Sequence, residues 1–176
     1  MGMSTFVNSE HPRSPDGRFA PSSTPESRVS LDEVEVLDAR GGTVRLRPGV
    51  LDADADYAFK NGQCLAMAYA IARDRGWGVA VATYYDDHVG SLVRHAWASG
   101  PDGAFYDVRG EHDPVIVEEE LDPDEEIETY RPDEIDLALE DHRDGMNRQD
   151  VETAALFVPA VLERAKSGEL DPDDLW

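Results

Sequence analysis

The stretch "NGQCLAMAYAIA", residues 61–72, decides the fold of this 176-residue chain, and it contains the only cysteine, Cys64. From Leu65 onward the stretch has almost no polar side chain. A helix over residues 63–75 must therefore be buried on most of its surface. Gly76 then provides a natural helix end. The stretch predicts a central buried helix that begins beside the cysteine.

Strand-like runs surround this helix on both sides. After it come "WGVAVATYY", "SLVRHAWAS" and "AFYDVRG", joined by the turn sequences "DDHVG" and "GPDG", which is typical of an antiparallel meander. Before it, "LDEVEVLDARGGTVRLRPG" alternates apolar and polar residues around Gly41 and Gly42 and predicts a hairpin. The sequence therefore predicts an α+β domain whose buried helix packs on an antiparallel β-sheet.

Composition divides the chain into a tail and one domain. Residues 1–28 are rich in Ser, Pro and Arg and have no apolar periodicity, so we expect a disordered N-terminal tail. A single domain should cover residues 29–176, with its motif region at 61–110 and C-terminal helices within 131–168. Finer expectations are a polar loop at 52–62, an edge strand at 115–117, a helix at 131–142, and a helix at 149–166 kinked at Pro159.

The charge of the chain limits its partners. The 38 acidic and 16 basic side chains give a formal net charge of −22. This field opposes phosphate groups, so we expect neither nucleic acid nor a membrane as a partner. The single cysteine excludes an internal disulfide and a paired-cysteine metal site. With no secretory signal and no apolar run of about 18 residues, the expected compartment is the cytoplasm.

Cys64 has two interpretations. A helix N-terminus carries partial positive charge and unpaired N–H groups, which stabilise a thiolate and a nearby oxyanion. The same cysteine, next to Ala and Met side chains, also fits a small buried core residue. The stretch by itself leaves both interpretations open.

Two residues downstream favour the nucleophile. A cysteine nucleophile needs a histidine base and an acid that orients this base. His95 lies in the centre of one strand-like run and Asp107 lies in the next. If the loop between them has three residues and is closed by Gly103, both side chains fall on one face of the sheet. Taken singly, His95 also fits a packed core histidine and Asp107 a turn or capping acid.

Further site candidates lie near these three residues. Asn61, Gln63 and Tyr57 are candidates for holding an oxyanion, and Trp97 is a candidate site wall. Arg109 fits either a contact with a substrate carboxylate or a structural ion pair, which the excess of acids favours.

A metal site is an alternative use of the same region. It would combine Cys64, His95, Asp107 and His112, although no closely spaced ligand pair is present. His112 and His88 both lie in turn-like sequences, and we expect both to be exposed. We predict no cofactor and no metal.

The motifs "GQC", "RHAW" and "DGAFYDVRG" resemble the core of transglutaminase-like cysteine enzymes, which belong to the wider papain-like superfamily. The resemblance covers residues 61–110 and extends to uncharacterised actinobacterial and phage proteins with this pattern. It implies a papain-like core with Cys64 as nucleophile, His95 as general base and acid, and Asp107 as orienting acid. Ala58 stands about where papain-type peptidases carry their oxyanion glutamine.

These observations lead to one main hypothesis and two alternatives. The main one is a cysteine-dependent acyl-transfer enzyme, a peptidase, amidase, deamidase or transglutaminase-like protein acting on a protein, peptide or small amide. The first alternative is a non-catalytic acidic interaction or accessory protein of phage or mobile-element type. The second is a metal-binding protein that uses Cys64 and His95.

Overall fold

The structure is a computed structural model that describes residues 33–136 and 148–168, and the predicted tail lies outside these residues. The described residues belong to one compact unit. No helix within the described ranges is long and apolar enough to cross a membrane. In chain order the elements are β1 (Val34–Leu37), β2 (Thr43–Leu46), α1 (Ala53–Lys60), α2 (Cys64–Arg75), β3 (Gly78–Asp86), β4 (Gly90–Ser99), β5 (Phe105–Asp107), β6 (Gly110–His112), α3 (Pro114–Glu119), β7 (Glu125–Tyr130), α4 (Arg148–Ala155) and α5 (Val158–Ser167).

The main sheet has five strands in the order β6-β5-β4-β3-β7, and every neighbouring pair is antiparallel. The chain runs directly from β3 through β4 and β5 to β6, so the predicted meander is confirmed. The predicted hairpin is also confirmed, because β1 and β2 form a separate antiparallel pair. The fold is therefore α+β, as the alternating runs and the apolar helix predict.

Helix α2 is the central buried helix of the prediction. Its residues 64–68 and 70–72 are all buried, and it ends at Gly76, which adopts the left-handed conformation with φ 67°. The alanines of α2 share one core cluster with Ala96 and Ala98 of β4. Small side chains on both elements let the helix lie close to the sheet, which brings its first residue near β4.

The polar loop predicted at residues 52–62 is wrong, because α1 occupies most of it. Asp52 caps this helix by accepting a hydrogen bond from the Ala55 N–H at 3.1 Å. Ala55, Ala58 and Phe59 are buried at helical spacing. The many aspartates mark a helix start and an exposed face, and the apolar stripe between them is narrow.

The edge strand predicted at residues 115–117 is also wrong. Asp113 caps α3 by accepting from the Val115 N–H at 2.9 Å, and Pro114 lies in its first turn. Only Val117 of the helix is buried. The edge strand is instead β7, within the acidic stretch that follows.

The C-terminal part contains a break where a kink was expected. Helices α4 and α5 are separate, and Pro159 lies in the first turn of α5, where its missing N–H is not needed. Phe157 at the break is fully buried, with its ring edge-on to Phe59 at 5.1 Å between centroids. Burial of this ring stabilises the break. Half of the helix predicted at 131–142, residues 137–142, lies outside the described residues.

Candidate active site

The loop between β4 and β5 has the length that the site requires. The Gly100 N–H donates to the Ala104 carbonyl at 2.9 Å, which leaves three residues, 101–103, in the loop. The loop therefore has the odd length on which the shared face of His95 and Asp107 depends. It places His95 and Asp107 on one face, and His95 Nε2 lies 2.8 Å from Asp107 Oδ2.

A β-bulge directly precedes His95. Ala82 of β3 pairs with His95, but the next residue, Thr83, pairs with Val93, so Arg94 is an extra residue in β4. A bulge bends its strand and changes the direction of neighbouring side chains. No sequence pattern indicated this bulge.

Cys64 lies near the His95–Asp107 pair. It is the first residue of α2, with 7% of its surface exposed, and it is close enough to His95 to contribute to raising the pKa of that ring. Because His95 Nε2 faces Asp107, Nδ1 is the ring nitrogen left for the sulfur. The structure thus brings the three predicted residues close to one another from three different elements.

The loop before Cys64 is held by the β1–β2 hairpin. The Ala39 N–H donates to the Asn61 carbonyl at 3.0 Å. Gly62 has φ 105°, and a Cβ atom there would lie 2.6 Å from the Ala39 nitrogen. Glycine is therefore required for this close approach, which fixes where α2 begins.

The charges of the site are paired in a buried environment. Burial by itself lowers the pKa of His95, but hydrogen bonds to Asp107 and Cys64 outweigh it and raise this pKa from 6.5 to about 9. Burial likewise opposes ionisation of Asp107, yet hydrogen bonds from His112 and His95 hold the pKa of its carboxyl well below the ordinary 3.8. At neutral pH the pair is an imidazolium and a carboxylate.

Asp107 has two further partners. The Arg109 backbone N–H donates to Oδ1 and its Nη2 donates to Oδ2, both at 2.8 Å. His112 Nε2 lies 2.8 Å from Oδ1. The structural ion pair favoured for Arg109 is therefore confirmed.

The expected exposure of His112 is wrong, since only 2% of its surface is exposed. A two-residue turn joins β5 to β6, with φ 124° at Gly110. In this register His112 pairs with Phe105, so it shares a face with Asp107. The alternating spacing of "DVRGEH" was the available signal, but the sequence has no strand-length run there.

The side chains that were predicted to stabilise an oxyanion form hydrogen bonds with other groups of the protein. Gln63 Nε2 donates to the Leu37 carbonyl at 2.8 Å, and Asn61 Nδ2 donates to the Tyr57 carbonyl at 2.9 Å. The Tyr57 hydroxyl lies 3.5 Å from an Asp38 carboxylate oxygen. No side chain caps α2, so the backbone N–H groups at its start receive no cap from a side chain.

Trp97 forms a wall of the site, as predicted. It is 1% exposed, and its ring lies edge-on to the His95 ring with 4.6 Å between centroids. On its other side it stacks on Phe105 at 5.6 Å. This packing restricts rotation of His95 and excludes water from the ion pair.

The arrangement does not suit a metal ion. Within residues 33–136 and 148–168, no group of three or more His, Cys, Asp or Glu side chains is placed to bind one. His95 Nε2 is engaged by Asp107.

Comparisons with protein-family models, with curated proteins and with solved structures find no match to this chain. The resemblance to transglutaminase-like enzymes therefore rests on the motifs within residues 61–110 of the sequence.

Proposed function

We propose that this protein is a cysteine-dependent acyl-transfer enzyme with a papain-like, transglutaminase-like core. The observation that carries the proposal is that His95 lies beside Cys64 and hydrogen-bonds Asp107. A nucleophile, a base and an orienting acid in this order are the minimum set for covalent acyl transfer. The position of the sulfur at the start of α2 supplies backbone donors for the oxyanion.

The first half-reaction forms a thioester. The Cys64 thiolate attacks the carbonyl carbon of an amide, a C–S bond forms, and the carbonyl electron pair moves to oxygen. Backbone N–H groups at the start of α2 stabilise this oxyanion. The His95 imidazolium then gives its proton to the amide nitrogen, the C–N bond breaks, and an amine leaves.

The second half-reaction releases the acyl group. Neutral His95 removes a proton from water or from an amine, whose oxygen or nitrogen attacks the thioester carbonyl. The C–S bond breaks, the thiolate re-forms, and His95 is again an imidazolium. The net change is hydrolysis of an amide or transfer of its acyl group, so substrates are proteins, peptides or small amides.

The rate of alkylation tests the pairing of Cys64 with His95. With iodoacetamide at pH 7, Cys64 should react faster in the wild type than in His95→Ala, because His95 lies beside the sulfur and activates it as a nucleophile. The exposed His88 serves as the control, and His88→Ala should match the wild type. Equal rates in the wild type and His95→Ala would refute the pairing.

A reactive ester tests the covalent step. With p-nitrophenyl acetate, the wild type should release nitrophenolate in a burst of one equivalent and gain the mass of one acetyl group. Cys64→Ala should give neither signal, and Asp107→Asn should slow the burst. A burst of equal size in Cys64→Ala would place the reaction elsewhere.

Burial of the site favours a second candidate, the non-catalytic acidic interaction protein. Cys64 and His95 are 7% and 4% exposed, so a large substrate has little access to them. Strand β7 carries Glu126 and Glu128 on its exposed positions, which suits a basic partner. Under this alternative, alkylation is slow at every pH in both proteins and no burst occurs.

A further inference from the structure

Two histidines share the Asp107 carboxylate, one on each oxygen. His95 Nε2 lies 2.8 Å from Oδ2, and His112 Nε2 lies 2.8 Å from Oδ1. An ionised carboxylate only accepts hydrogen bonds, so Nε2 of both rings carries a proton. The His112 side chain is fully buried, and its Nδ1 has no hydrogen-bond partner among the described residues. The contact with Asp107 is thus the polar link between His112 and the site.

Arg109 holds the orientation of the carboxylate without help from His112. It donates to Oδ1 through its backbone and to Oδ2 through its guanidinium. Loss of His112 should therefore leave Oδ2 facing His95. What changes is the number of donors that share the negative charge of the carboxylate.

We propose that His112 is a positioning residue that acts on His95 through Asp107. By donating to Oδ1 it draws negative charge away from Oδ2, and it thereby limits how tightly the carboxylate holds the proton of His95. The effect of this hydrogen bond on catalysis rests on the proposed function. A proton that the carboxylate holds less tightly passes more readily from His95 to a leaving amine. Asp107 and His112 lie on β5 and β6, which are joined by a two-residue turn.

Several elements place charged or titratable groups around this pair. Cys64 from α2 lies near His95, Asp107 from β5 hydrogen-bonds both rings, and Arg109 from the following turn pairs with Asp107. A cavity of about 500 Å³ is lined by His112 together with Asp102, Glu111, Asp113 and Arg164. A variant at His112 leaves all of these groups in place, so a comparison of variants isolates the His112 hydrogen bond.

The test compares His112→Leu with His112→Gln in the full chain. Leucine fills a similar volume without a donor, whereas the glutamine amide nitrogen takes the place of Nε2. The measured quantity is the titration midpoint of the His95 ring protons, followed by NMR. In His112→Leu this midpoint should rise by about one pH unit, because one donor to the carboxylate is lost. In His112→Gln it should stay at the wild-type value.

An unchanged or lowered midpoint in His112→Leu would overturn the proposal, as would an equal rise in both variants. If His112→Leu does not fold, a measurement on the wild-type protein still tests the proposal. At pH 7 the Nε2 proton of His112 should exchange slowly and give its own low-field resonance, and a ring protonated only at Nδ1 would contradict the inference. None of these readouts needs turnover. A protein that passes them but gives no nitrophenolate burst would refute the enzyme function alone.

Discussion

Raising the pH should remove stability that His95 contributes to the fold. The pKa of His95 is raised from 6.5 to about 9 because its hydrogen bonds to Asp107 and Cys64 outweigh burial. A group with a raised folded-state pKa stabilises the fold fully below its unfolded pKa, and this contribution is lost as pH rises through the folded value. The shift corresponds to about 3 kcal/mol of unfolding free energy between pH 6 and pH 10.

Denaturant unfolding of two proteins measures this contribution. The wild type and His95→Gln are unfolded with urea at pH 6 and pH 10, in reducing buffer at one ionic strength, with tryptophan fluorescence as the probe. Trp97 packs on His95 and should report loss of this contact. The wild type should lose about 3 kcal/mol more than the variant between the two pH values.

The difference between the two proteins removes the other titrating groups. Burial and a hydrogen bond to Glu111 raise the pKa of Tyr106 to about 12, so its ionisation in the unfolded state destabilises both proteins near pH 10. The exposed His88 provides a matched control, and His88→Gln should follow the wild type. Equal pH dependence of the wild type and His95→Gln would show that the buried pair does not hold the His95 proton, which would refute the reasoning.

Three further predictions concern stability, each measured by urea unfolding. Asp107→Asn should cost about 3–5 kcal/mol, because it removes a buried carboxylate that is paired with His95 and with Arg109; a cost below about 1 kcal/mol, the range of an exposed pair, would contradict this. Gly62→Ala should destabilise more than Gly90→Ala: both glycines have positive φ, but only at Gly62 does an added Cβ meet backbone within 4 Å. Equal losses would mean that the loop relaxes freely. Phe157→Ala should cost about 3–5 kcal/mol as a fully buried ring, while Leu156→Ala, which is 47% exposed, should change stability by less than about 0.5 kcal/mol. Similar costs for the two would place the break between α4 and α5 outside the core.

Local patterns of the sequence were sufficient for the elements that carry the three central residues. The apolar run after Cys64 predicts a buried helix whatever packs on it, because no face of that helix is polar. Strand alternation places His95 and Asp107 on one face provided that the loop between them has an odd length, because side chains alternate at every residue of a strand. These patterns depend on a few neighbouring residues, so they can be recognised without knowledge of the rest of the chain.

The partners of those residues were decided only by tertiary structure. Helix α1 buries a narrow stripe among aspartates, and its stability depends on the packing that Phe59 and Phe157 provide across the chain. His112 becomes buried because the register of β5 and β6 returns it to Asp107. Gln63, next to Cys64 in sequence, is bound to a carbonyl of β1. Such contacts join residues that are far apart in the chain or lie on short, weakly patterned strands. The sequence alone thus determined the elements that carry Cys64, His95 and Asp107, whereas strand register and long-range packing decided which groups surround these residues.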